Sequence, residues 1–418
     1  MTTRQGFTNT FLSLIGCAAM LTLTVTAEAI EDERPAGLNG ATWQFGPLNR
    51  WAYTHMSEVL PSKPIRHGTG SPRPLPGLKA AANDMTVDWN GAPRQLAALM
   101  EEQYIDGLLV MKNGRVLFER YAGTLTPERS HLLWSVSKTI TGLTAASVAA
   151  DGLIDLDKTV ADYVPALADS GWGPDTLRDV LDMRDGSQWN EDYAAADSTV
   201  RRQDCADGLL TGPDCEGVPV VGNYRFLPTV GRMPDRQGSF VYKSGTTDVM
   251  AWVLEAATDK RFADLVSQRI WKRIGAEQDA GITVDTSGFT LASGGIHATL
   301  RDVGRVGQLI LNRGQVGDER LFSPAWIDDI VSRDGSRSWP YAVEEGFRPY
   351  YRSFMWGLGD GRGSIQARGV HGQLIHVAPE SKTLIVMLSS WPDAEGGAPQ
   401  VGESTQQRLV QAIEAALP

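Results

Sequence analysis

The sequence predicts an α+β fold, an antiparallel sheet flanked by helices and interrupted by a mainly helical region. Two observations point to it. Strand-like runs with turn signals stand in pairs toward opposite ends of the chain, and helical spacing dominates between them. At 418 residues the chain is long enough for a sizeable core. The division expected is a sheet domain from 86–140 together with 286–418, and a helical domain over 141–285.

Residues 1–29 read as a secretory signal. Residues 11–25 are apolar, Arg4 precedes them, and Ala27-Glu28-Ala29 has the small-x-small pattern of a cleavage site. Leu14-Ile15-Gly16-Cys17 also looks like a lipoprotein box, but residues 18–25 stay apolar where such proteins turn polar, so export without anchoring at Cys17 is the expectation. Periplasmic or secreted localisation follows. Residues 30–85 form an N-terminal extension, and 61–77, with five prolines and three glycines, read as an extended connector.

Structure proper resumes near Leu96. Runs at 107–112 and 115–121 flank Asn113-Gly114, the strongest short hairpin signal. Helical patterns follow at 137–152, 248–257 and 300–312, the last with Thr299 as N-cap and Gly314 beyond its end. A second strand pair spans 373–377 and 383–389, and 405–417 closes the chain as a helix. Cys205 and Cys215 lie close together in a loop-like stretch, where an oxidising compartment would let them pair.

Composition narrows the function. The net charge is −11 with acidic residues spread along the chain, which argues against nucleic acid as a partner. The six histidines include no His-Glu-x-x-His, so a metal site lacks its usual spacing and no cofactor is expected. No Gly-x-Ser-x-Gly elbow occurs, and no run beyond the signal is long and apolar enough to span a bilayer.

Three motifs could carry chemistry. Ser135-Val136-Ser137-Lys138 sits where a helix begins, so Lys138 reaches the Ser135 hydroxyl from one turn away while the helix start favours a developing oxyanion. An ordinary lysine is protonated at neutral pH, so something must hold Lys138 neutral or share its proton. Tyr242-Lys243-Ser244 supplies a partner: Tyr242 could take the serine proton as a phenolate stabilised by Lys138, or relay it through a neutral lysine. Gly369-Val370-His371-Gly372-Gln373 leads into a strand whose edge can offer an N–H to an oxyanion, with His371 placed to orient substrate or to bond Tyr242.

In order and spacing these motifs resemble the class C β-lactamases, their esterase relatives and D-aminopeptidases. The flanking Trp134, Asn190-Glu191-Asp192-Tyr193 and Asn49-Arg50-Trp51 are most similar to the 6-aminohexanoate-dimer hydrolase (nylon-oligomer hydrolase) branch. The resemblance covers most of the chain beyond the signal. It implies a β-lactamase/penicillin-binding-protein-like fold, Ser135 as nucleophile, Lys138 and Tyr242 as the proton-transfer pair, and Ser244 as the tyrosine's polar neighbour. It further implies an oxyanion hole from the N–H groups of Ser135 and Leu374, with Tyr193 and Asp204 on the amide and the free amino end of a substrate. β-Lactamases carry a lysine where His371 stands, so β-lactamase activity is not expected. The reading is a serine hydrolase acting on a short linear ester or amide; the alternative is a non-catalytic receptor for a cell-wall peptide or small ligand. The loop 193–226 is the expected substrate-facing segment.

Overall fold

The computed structural model describes residues 33–78, 84–233, 235, 237–332 and 349–418, and the first two residues. The signal-like segment, Cys17 included, therefore lies outside the described residues, apart from Met1 and Thr2. Among the described residues, eleven strands build the two larger sheets: β1 (Ser62–Ile65), β2 (Ile105–Lys112), β3 (Arg115–Tyr121), β4 (His131–Leu132), β5 (Ala280–Thr283), β6 (Ile296–Ala298), β7 (Tyr350–Arg352), β8 (Met355–Gly357), β9 (Ile365–Gly369), β10 (Gln373–Ala378) and β11 (Thr383–Ser389). The larger of the two runs β7-β8-β9-β10-β11-β2-β3, every pair antiparallel. β11 pairs with β2 near its centre, Leu384 opposite Met111 and Met387 opposite Leu108, so runs from opposite ends of the chain meet as neighbours.

Both faces of this sheet are covered, and for that reason its central strands read as continuous apolar runs. Side chains alternate between two cores. Leu108, Val110, Ile385 and Met387 pack with Leu409, Val410 and Ile413 of the C-terminal helix, while Leu109, Met111, Leu384 and Val386 face the other way. On that second face lie α1 (Val136–Ala150) and α4 (Leu300–Leu311), while α2 (Thr199–Asp207) packs on α3 (Ser244–Thr258) and α3 on α1; the C-terminal helix is α5 (Glu403–Ala416). Thr299 caps α4, accepting from Asp302 N. Gly304 and Gly307 let that helix lie on the sheet, since a Cβ on either would stand 2.5 or 2.4 Å from Leu109 or Leu384.

α1 is buried from Val136 to Val148, with no polar face. Such a helix belongs at the middle of a core. Its Gly142 rests on the Ser353 carbonyl, which a Cβ would approach to 2.6 Å.

Residues 34–418 form one compact unit, in which α1 sits in a single apolar cluster with sheet residues such as Leu109 and helical-region residues such as Trp172 and Val253. The extended connector 61–77 includes β1, where Ser62–Ile65 pairs with Ala280–Thr283 at the edge of the second sheet, ordered β1-β5-β6-β4. One boundary needs correction. α3 begins at Ser244, one turn before the expected 248, because its first turn is polar and shows no apolar spacing. No helix among the described residues is long and apolar enough to cross a membrane.

Cys205, at the end of α2, is joined to Cys215 with a Cα separation of 5.3 Å, within the range a disulfide needs. The bridge closes a loop with a sequence separation of 10. Replacing both cysteines by serine is expected to cost about 2–3 kcal/mol in urea unfolding, mainly through the freed unfolded chain. Reduction of the wild type should reproduce the same loss.

Candidate active site

Trp134 has a positive φ of 45°, a conformation uncommon for a large side chain, and it delivers Ser135 to the start of α1. Ser135 occupies the N-cap position, yet its hydroxyl caps nothing. The hydroxyl is engaged by Lys138, whose Nζ lies 2.8 Å from Ser135 Oγ. The same amine donates to Ser244 Oγ at 3.0 Å and to the Ser293 carbonyl at 2.9 Å.

The direction of these bonds can be worked out. A carbonyl only accepts, so Lys138 donates to Ser293 O. Ser244 Oγ gives its own proton to Glu191 Oε1, so it too accepts from the lysine. Those two bonds use both hydrogens of a neutral amine, and the lone pair is left facing Ser135 Oγ. Burial favours that neutral state, pulling Lys138 down to about 8 against the opposing pull of Glu191, Asp248 and Asp204.

Tyr242 is half-buried, with its ring stacked on Trp356 at 5.5 Å. Burial pushes its phenol well up, and the neighbouring Ser135 hydroxyl draws it partly back. The lysine amine lies over the ring, 5.1 Å from its centre, and makes no hydrogen bond to the hydroxyl. Of the two roles left open for Tyr242, relay beside a neutral lysine fits this environment and the phenolate acceptor does not. Between Tyr242 and Ser244, Lys243 is buried in an ion pair with Asp185 at 2.8 Å, which anchors the segment from behind.

His371, also at positive φ (60°), is buried with its Nδ1 2.9 Å from the Trp391 carbonyl. That partner accepts, so Nδ1 carries the proton and Nε2 is left as an acceptor. The ring stacks on Trp134 and meets Tyr53 edge-on. Burial lowers the imidazole to about 4, so it is neutral at ordinary pH. The expected bond from His371 to Tyr242 is not made; the Trp391 carbonyl takes its place.

Leu374 is the site residue that the structure does not bring to the others. It lies on β10, an interior strand, opposite Arg368 on one side and Met387 on the other, and its side chain packs in the core on the α5 face. The strand end beside Ser135 belongs to β9: a Cβ on Gly369 would stand 3.0 Å from Ser135 N and 2.8 Å from the Leu133 carbonyl. Val370, the next residue, lines the cavity with Ser135 and His371, and Leu374 does not. The chain turns between β9 and β10, so the backbone that meets the cavity lies before the start of β10.

The cavity encloses about 740 Å³, its mouth included, and is lined by Ser135, Ser244, His371, Tyr193 and Asp204 among others. The segment 193–226, which is helical over α2 and not a loop throughout, supplies Tyr193 and Asp204. Tyr193 donates to Glu191 Oε1 at 2.7 Å, and burial together with that carboxylate pushes its phenol well up. Asp204 is raised to about 6 by burial, and it is paired with Arg201 at 3.2 Å.

Four contributors were not singled out in the sequence. Glu191 accepts from Ser244 N at 2.9 Å as well as from Ser244 Oγ, Tyr193 and Trp189, a carboxylate at the head of α3. Ser293 supplies the lysine's carbonyl, Arg201 neutralises Asp204, and the N-terminal segment gives Trp43, Gln44, Phe45, Met56 and Leu60 to the cavity wall. Glu191 stood in the quoted Asn190–Tyr193 motif, two residues before Tyr193; the others carry no local signal.

The chain matches the beta-lactamase family model over residues 93–404. It is 35% identical over 361 residues to the 6-aminohexanoate-dimer hydrolase of Paenarthrobacter ureafaciens, covering 85% of this chain and 88% of the other. A Bacillus anthracis structure, assigned provisionally as a 6-aminohexanoate-dimer hydrolase, superposes with a TM-score of 0.79 at 26% identity, over 91% of this chain and 96% of that one. The octameric penicillin-binding protein homologue of Pyrococcus abyssi shares the fold at a TM-score of 0.55 and 16% identity, over 76% of each chain.

Gly369→Ala puts a methyl against backbone atoms that cannot swing aside. The variant is expected to keep its far-UV circular dichroism while the reaction of Ser135 with a fluorophosphonate slows about 10- to 100-fold, as a small displacement at a reacting pair does. A rate equal to the wild type would show that this strand end has no part in the site.

Proposed function

The chain belongs to the beta-lactamase family, and from that membership we propose that it is a serine hydrolase that cleaves short linear esters or amides through an acyl-enzyme on Ser135. The observation that carries the reading is the buried Lys138 amine 2.8 Å from Ser135 Oγ, held by two further oxygens so that, once neutral, its lone pair faces the serine hydroxyl. Lys138 takes the Ser135 proton as Oγ attacks the carbonyl carbon, and the oxyanion formed is held by the N–H groups of Ser135 and Val370 at the positive end of α1. When the tetrahedral intermediate collapses, the leaving oxygen or nitrogen takes a proton from the new ammonium, either directly or through Tyr242, which gives up its own proton as the ammonium returns one to it, and water then releases the acid by the reverse path.

The walls support a substrate class. Trp43, Phe45, Leu132, Val200, Leu209 and Leu291 suit an unbranched apolar chain, and Tyr193 and Asp204 suit a polar group near it. Likeness to the 6-aminohexanoate-dimer hydrolase supports a linear amide, and the Tyr242 phenol, kept protonated by burial, is the donor that amide cleavage needs. Esters demand less of the site. The neutral His371 provides no fixed cation for a β-lactam carboxylate. The signal-like N-terminus and the Cys205–Cys215 disulfide support action in an oxidising, exported compartment.

Hydrolysis of p-nitrophenyl acetate and of 6-aminohexanoate dimer by the mature protein and by Ser135→Ala tests the proposal. Ester cleavage is expected from the intact protein, with a loss of at least about 1000-fold in the variant; dimer cleavage would add the amidase activity. An unchanged rate in Ser135→Ala overturns the mechanism, and no turnover of either compound favours a binding protein. Because Lys138 is pulled down to about 8 and works neutral, kcat/KM for the ester is expected to rise with pH through that value. Lys138→Met should abolish the rise together with the activity.

A further inference from the structure

Behind the lysine lies a carboxylate to which the proposed reaction gives no role. Asp248, in the second turn of α3, is fully buried. Its Oδ1 accepts from Ser293 N at 2.9 Å, and its Oδ2 accepts from Ser293 Oγ at 3.1 Å and from Gln203 Nε2 at 2.8 Å. All three partners are donors, an arrangement built for a carboxylate and not for an acid. Ser293 is also the residue whose carbonyl receives a proton of Lys138 at 2.9 Å. One side chain therefore grips both the N–H and the hydroxyl of the residue that orients the amine.

We propose that Asp248 is a positioning residue for the Ser135–Lys138 pair, clamping Ser293 so that its carbonyl holds one amine hydrogen and the lone pair stays on the serine. The inference rests on the serine-hydrolase reading. Without the clamp, Ser293 O can turn away, and the amine is free to rotate a hydrogen toward Ser135 Oγ, a geometry in which it cannot accept the serine proton. The charge has a second effect: a nearby anion stabilises the ammonium once the serine proton has arrived.

Other ionisable groups crowd this spot. Lys138 approaches Asp248 from α1, Asp204 and Asp207 lie on α2, Asp285 follows β5, and Glu191 acts on the lysine from the loop before α2. Burial and the neighbouring aspartates hold Asp207 far toward its neutral form. Asp285 is taken up by Asn223 N, Ser287 and Phe289 N. Burial raises Asp248 itself to about 7, against the donors and Lys138, which favour its charged form.

Asp248→Asn tests the idea with little change in shape. The Gln203 and Asn223 amides can both turn over, so that Gln203 Oε1 accepts from the carboxamide introduced there and from Asn223 Nδ2, a buried nitrogen without a partner in the wild type. The variant is expected to fold, with plateau kcat for p-nitrophenyl acetate down about 10- to 100-fold and KM little changed. The acid limb of kcat/KM should move to lower pH, because an anion that favoured the ammonium is gone; a purely structural role would not move it. Ser293→Ala keeps the charge and removes one of the two clamps, so a smaller fall in kcat with the acid limb in place is expected. A folded Asp248→Asn with wild-type kcat and an unmoved limb overturns the proposal. If Asp248→Asn does not fold, wild-type kcat in Ser293→Ala overturns it instead. Activity surviving in Ser135→Ala would remove the hydrolase reading itself, whereas an inert Ser135→Ala beside an unaffected Asp248→Asn removes only the clamp.

Discussion

The site depends on one buried amine shared among three oxygens. Lys138 can lie against Ser135, Ser244 and Ser293 only if α1, the head of α3 and the segment before β6 meet at a single point. Much of the surrounding structure serves that meeting. Lys243 ties the Tyr242–Ser244 turn to Asp185, Glu191 closes the head of α3, and Gly142 lets α1 settle against the Ser353 backbone. Burial keeps water from competing for the amine, and it also makes the neutral lysine accessible near neutral pH.

Electrostatics at the site are a balance between desolvation and carboxylates. Without Glu191, Asp204 and Asp248, burial would leave the lysine little tendency to hold an acquired proton; without burial, the carboxylates would keep it permanently charged. The aromatic side is neutral by comparison. Trp43, Trp134, Tyr53 and His371 stack into one wall, and His371 contributes an acceptor there instead of a charge.

Legibility in the sequence followed the range of the interactions involved. The hairpin at Asn113-Gly114, the cap at Thr299 and the Ser135–Lys138 turn are local, and each is found where its residues predicted it. Tyr193 and Asp204, named on resemblance, line the cavity with Ser135. Leu374 was misplaced because the register of a hairpin turn decides which N–H precedes it, and the pattern of apolar residues is the same for either choice. Ser293 was invisible for a plainer reason: it acts through a backbone carbonyl, which every residue has.

The N-terminal segment bears on how the molecule comes together. Trp43 donates to the Leu209 carbonyl, Asn49 Nδ2 to the Trp391 carbonyl across 342 residues of chain, and Gly46 N to the Pro392 carbonyl. One wall of the cavity is therefore made by residues that leave the ribosome early yet find their partners only when nearly the whole chain is present. Contacts so distant in sequence form late in folding, after loop closure has been met elsewhere. The wall beside Ser135 thus depends on contacts that span the sequence, and the pocket is complete only when residues near both ends of the described chain are in place.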